Sequence, residues 1–178
     1  MKSIGLGELA SLLVWGPLMI GGGYFCLTGR LSGTAFVASI PYGLGIAAIL
    51  IGKHTDQAIF DREHDVHTLP VLLGDRWSRI VNQVTVILMY LLIVALVAMR
   101  RLTPFALIVL LNAPAAWRLI RACSSPRPEA PPVGFVGWPL WFHRFNLIHN
   151  RRFGWLYILG LAVGAIWTMV SASTGGRR

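Results

Sequence analysis

Charge is scarce in this sequence. Only 13% of its 178 residues are Asp, Glu, Lys or Arg, and just seven are acidic. With 55% hydrophobic residues and a mean hydropathy of +0.63, so little charge excludes a soluble domain that hides its apolar side chains in one core. Cysteine is equally sparse. Cys26 falls in an apolar run and Cys123 in a predicted loop, so the pair gives no disulfide framework and says nothing about redox environment. The basic excess, a formal net charge of +9, sits in short segments between apolar runs rather than on one amphipathic face. That placement argues against a nucleic-acid partner and for a lipid bilayer.

Five apolar runs are present, at 9–29, 31–52, 80–99, 102–117 and 153–173. A helix needs roughly 20 residues to cross about 30 Å of hydrocarbon, so each is a candidate span, the fourth extending toward Ile120. The expected fold is an all-α integral membrane protein, one membrane domain over 1–178. The first run follows a basic Met1-Lys2 start, as in a signal peptide. It carries Glu8 early and has no small-residue cleavage site, so it reads as a retained span. Along an alternating five-span path, eleven Lys and Arg fall on one side and five on the other. This asymmetry predicts a multi-pass protein of the inner (cytoplasmic) membrane with cytoplasmic loops at 53–79 and 118–152 and the C-terminus outside. The prolines of 124–132 exclude a helix there.

The acids are concentrated. Asp56, Asp61, Glu63, Asp65 and Asp75, five of the seven, lie between Lys53 and Arg79 together with His54, His64 and His67. Carboxylates beside a bilayer are costly to desolvate unless they pair or hold a cation. If the second helix continues past the membrane face, Asp61 and Asp65, four apart, share a face and suit one divalent cation. Asp56, five residues before Asp61, diverges by roughly 140° unless the helix breaks. Oxygen ligands completed by water suit Mg²⁺, which usually bridges protein to substrate phosphates, and Lys53 and Arg62 would add direct charge for those phosphates. The histidines leave a transition-metal site open as a rival, and a merely solvated interfacial loop is another.

From Trp138 to Phe153 aromatic and basic residues alternate, as in an interfacial segment feeding the last span. Arg151, Arg152 or His149 would there be available to an anionic group.

The segment Asp61-Arg62, Asp65, His67-Thr68-Leu69-Pro70 and on to Gly74 resembles the second aspartate-rich motif of UbiA-type membrane prenyltransferases, where an Asp-x-x-x-Asp element runs into a Thr-Leu-Pro turn. Gly5 to Glu8, Gly16-Pro17, Gly21 to Tyr24 and Thr28-Gly29 resemble the branch that prenylates dihydroxynaphthoate, and Trp138 to Trp141 and His149 to Gly154 are also similar to family segments. Aligned on Thr68-Leu69-Pro70, Asp61 is the final acid of the motif. Asp56 then stands five residues back instead of four, and Asp65 stands where glycine is usual.

The resemblance implies spans five to nine of a nine-helix bundle, with the first aspartate-rich motif and an N-terminal half supplied from elsewhere. It implies Mg²⁺-assisted ionisation of an allylic prenyl diphosphate and attack by an aromatic acceptor, as in menaquinone biosynthesis. Asp61 and then Asp56 are the expected catalytic acids, with Asp61, Asp56 and Asp65 as metal candidates and Lys53 and Arg62 as weaker diphosphate contacts. Two other readings stay open, a non-catalytic membrane subunit or remnant and a small cation-handling membrane protein.

Overall fold

The computed structural model describes residues 5–175. Lys2, Arg177 and Arg178, which entered the charge count, and the basic start before the first span lie outside the described residues. Six helices account for most of the rest: α1 (Gly7–Thr28), α2 (Gly33–Glu63), α3 (Leu69–Leu73), α4 (Asp75–Ala98), α5 (Pro104–Cys123) and α6 (Trp141–Gly175). All but α3 are long and apolar enough to cross a membrane, and no strand occurs among the described residues.

Local chemistry explains the ends. Ser32 caps α2 by accepting the Ala35 amide at 3.3 Å, which satisfies one of the unpaired N–H groups of a helix start. In α1 the turns from Val14 to Gly21 widen to π geometry around Pro17, whose ring and missing N–H do not fit a regular helix interior. α4 begins with Asp75 at its positive end, and the Arg79 Nε lies 2.9 Å from the Asp75 carboxylate one turn on. Arg79 also donates to the Cys123 carbonyl at 2.9 Å and Gln83 to the Ile120 carbonyl at 2.9 Å. Side chains of α4 thus satisfy the carbonyls that α5 leaves open at its end.

α2 is the central post, packed against α1, α4 and α6. Its small residues let neighbouring backbones approach: a Cβ on Gly43 would sit 2.7 Å from the Leu12 carbonyl oxygen, and one on Gly52 would sit 2.5 Å from the Asn146 amide nitrogen. Leu44, Met89, Ile93, Val109 and Phe153 fill the middle of the bundle. Ala48, Val86, Leu119 and Phe142 close it near the acidic island.

The boundaries depart from the hydropathy runs in three places. α2 does not end with its apolar run at residue 52 but continues to Glu63, and with α3 and the start of α4 most of the supposed 53–79 loop is helical. The supposed 118–152 loop is irregular only from 124 to 140, because α5 runs to Cys123 and α6 starts at Trp141. Cys123 is accordingly the buried last residue of α5, not a loop residue. Hydropathy marks where lipid ends. A helix continues through Lys, Gln, Asp and Arg, whose propensities allow it, until its own termination signal is reached.

Candidate functional site

The signal that stops α2 also builds the centre of the site. Asp65 adopts φ +53°, the left-handed conformation, with the Val66 amide on the Asp61 carbonyl at 2.8 Å and the Asp65 amide on the Arg62 carbonyl at 3.4 Å. This is a Schellman closure, which normally places glycine where Asp65 stands. Asp65 is exposed there, so the continuous helical face that would have paired it with Asp61 does not form. The chain then reverses through Val66 and His67, and Thr68 donates its hydroxyl to the Asp61 carboxylate at 3.1 Å. Asp61 is only 8% exposed and Thr68 is also buried. Pro70, in the first turn of α3, needs no amide partner and suits the entry to that short helix.

Asp56 faces elsewhere. Its Oδ1 accepts the Phe142 amide at 3.1 Å and its Oδ2 the His143 amide at 2.9 Å, at the unpaired N–H end of α6. Arg127 donates to the Asp56 carbonyl at 2.9 Å and to the Pro139 carbonyl at 3.1 Å, with its guanidinium 5.4 Å from the Trp138 ring centroid. A cleft of about 360 Å³ opens beside them, lined among others by Asp56, Asp75, Arg127 and Glu129. Lys53 is half-buried on α2 and Arg62 exposed, and neither has a carboxylate within 4.0 Å among the described residues.

These positions bear on a metal. Both Asp56 oxygens are engaged by backbone amides, Asp61 has one oxygen engaged by Thr68, and Asp65 is exposed on a turn. Among the described residues no three His, Cys, Asp or Glu side chains come together as a ligand group. The carboxylates of this chain do not by themselves fit a Mg²⁺ shell.

The structure also joins residues that the sequence reading left apart. Glu8, 3% exposed on α1, lies 2.7 Å from the Nδ1 of His54 on α2. A lone acid in an apolar run signals a partner across the bundle, but spacing cannot say which. Deeper, the Tyr90 hydroxyl meets the His149 Nε2 at 2.8 Å, and Asn112 donates to Tyr90 at 3.2 Å and to the His149 carbonyl at 3.1 Å. His149 is thus buried in an interhelical network, whereas its neighbours Arg151 and Arg152 are exposed.

A closed α2, a buried carboxylate at its end and a Thr-Leu-Pro reversal constitute the arrangement with which known proteins can be compared. Residues 1–148 match the model of the UbiA prenyltransferase family. The chain is 32% identical over 124 residues to UbiA prenyltransferase domain-containing protein 1 of Xenopus tropicalis, covering 70% of this chain and 35% of that protein. To the Danio rerio protein of the same name it is 30% identical over 121 residues, covering 68% and 35%. To the human one it is 34% identical over 90 residues, covering 51% and 27%. The matched region therefore spans about a third of the length of these curated relatives. No solved structure gives a significant match. The match over 1–148 places the chain in the UbiA prenyltransferase family.

Proposed function

We propose that this chain, as one membrane domain over 1–178, supplies spans five to nine of a UbiA-type prenyltransferase. The reaction is transfer of a prenyl group from an allylic diphosphate to dihydroxynaphthoate or a similar aromatic acceptor in quinone biosynthesis. The observation that carries this reading is Asp61, a buried carboxylate fixed by Thr68 at the one point where α2 stops and the Thr-Leu-Pro reversal begins. A rigidly held carboxylate at a membrane face suits an ionising diphosphate site by holding a cation that would neutralise the leaving group, and a preorganised ligand needs no rearrangement as that charge develops. Arg62, next to it and exposed, and Lys53 are assigned to the diphosphate oxygens. Asp56 acts by holding the start of α6 in place. Mg²⁺, which the family resemblance implies, would need carboxylates beyond Asp61, so the first aspartate-rich motif must come from outside the described residues. In this reading the island faces the cytoplasm.

The test is reconstitution. The chain joined behind the first four spans of a relative, with Mg²⁺, an allylic diphosphate and dihydroxynaphthoate, is expected to yield prenylated product, and residues 1–178 alone are expected to yield none. Absence of product from the joined protein, correctly inserted, would favour the non-catalytic subunit, and turnover by 1–178 alone would overturn the two-part site.

A further inference from the structure

We propose that Arg151, Arg152 and Trp155 bind the phosphate head of an anionic bilayer phospholipid whose chain lies in the slot between α1, α2 and α6. Asn150 on α6 packs opposite Gly45, seven residues before the end of the apolar run of α2 at Gly52. Arg151 and Arg152 directly precede the apolar run 153–173 of α6, at the edge of the apolar zone on that helix. Both arginines are exposed, and neither has a carboxylate within 4.0 Å among the described residues. Two guanidinium groups so placed stand at the head-group level, within reach of lipid phosphate oxygens.

Successive helix residues diverge by about 100°, so the arginines fan to either side of Trp155, which lies four residues beyond the first and three beyond the second. Trp155 is 71% exposed, a ridge between two recesses. Arg151 and Trp155 line one of about 210 Å³, and Arg152 and Trp155 line another of about 440 Å³. The first is also lined by Asn150, only 7% exposed, whose side-chain oxygen is turned toward Gly45. It shares Tyr42, Gly154 and Ile158 with an apolar slot of about 430 Å³ that reaches Met19 and Leu161. A cationic mouth on an apolar slot is complementary to an anionic head with a chain attached. The forked guanidinium matches phosphate oxygens, tryptophan favours the head-group level, and basic pockets between helices recognise anionic heads. The slot is open at the surface of this chain, past the exposed Met19 and Ile158. This inference does not depend on prenyl transfer, and its assay contains none.

The experiment is native mass spectrometry of the full chain taken from nanodiscs of equal phosphatidylglycerol and phosphatidylcholine. Retained phosphatidylglycerol is expected in excess, and Arg151→Gln is expected to reduce that excess about fivefold, with a similar fall for Arg152→Gln. A Cβ on Gly154 meets only Tyr42, at 4.0 Å, and Gly154 lines the slot, so Gly154→Leu puts its side chain into that space and is expected to lower the number of retained lipids of either head group. Equal retention of the two lipids, or an excess untouched by all three substitutions, would overturn the proposal. So would displacement of the retained lipid by micromolar farnesyl diphosphate, which would make the slot an isoprenoid site, or by inorganic phosphate, which would make it a site for a free anion.

Discussion

The Asp56 carboxylate and the His143 amide meet at 2.9 Å across 87 positions of sequence. With the Phe142 amide on the other oxygen, this contact joins the end of one spanning helix to the start of the last. Asp56→Ala is expected to destabilise the chain by about 1–2 kcal/mol, the scale of a lost helix cap, and Asp56→Asn by less because one acceptor remains. Unfolding of the purified chain in detergent checks this. Wild-type stability in Asp56→Ala would return Asp56 to the pool of unassigned acids.

Asp61 is expected to behave differently. In the protein restored with its first four spans, Asp61→Asn is expected to lower kcat/KM by at least roughly 10²-fold, the scale of losing one preorganised charge-stabilising group. Thr68→Val, which leaves the carboxylate but frees one oxygen, is expected to cost less. Steady-state kinetics of the two variants separates a charge role from a turn-holding role. Near-normal activity in Asp61→Asn would refute the first.

At Asp65 the backbone decides. A left-handed φ of +53° strains most side chains, aspartate less than others, and glycine not at all. Asp65→Gly is therefore expected to keep activity and match or raise stability, and Asp65→Val to lose about 1–2 kcal/mol. Denaturation midpoints of the pair settle the point, and a Gly variant that loses function would show that the carboxylate itself is required.

In the Glu8 and His54 pair the acid is buried and the imidazole largely so, at 4% and 14% side-chain exposure. Removing one member leaves the other without its partner, at a cost of about 3 kcal/mol. Glu8→Leu alone is expected to unfold at lower denaturant than Glu8→Leu combined with His54→Leu. If the double variant is no more stable than the single one, the pair is not coupled.

Orientation is open to labelling. With Cys26 and Cys123 replaced, His67→Cys and Arg127→Cys are expected to react with an impermeant reagent from the cytoplasmic face. Leu31→Cys, between α1 and α2, is expected to react from the opposite face. The reverse pattern would overturn the orientation inferred from Lys and Arg.

Five spans were legible because lipid thickness imposes a run length that composition records directly. Where α2 ends was not legible from hydropathy, because Lys53 to Glu63 are polar residues that favour helix as readily as loop. The resemblance put Asp65 at a position where glycine is usual, and the backbone there is left-handed. It ranked Asp56 close to Asp61 as an acid of the motif, whereas the two face different neighbours, Thr68 for one and the start of α6 for the other. Sequence spacing within α2 cannot reveal that, since the partner amides come from residues far along the chain. The Glu8 contact with His54 escaped for the same reason.

The long reach between Asp56 and the start of α6 has a consequence for biogenesis. The carboxylate is made 86 residues before the first amide it receives, so at about 5–20 residues per second it waits roughly 4–17 s during synthesis. For that interval α2 has its central position without the contact that pins its polar end, and α1, α4 and α5 must assemble around a post still free at one tip. Chains released before Trp141 would leave the Asp56 carboxylate without its two backbone amides and the bundle without its last helix.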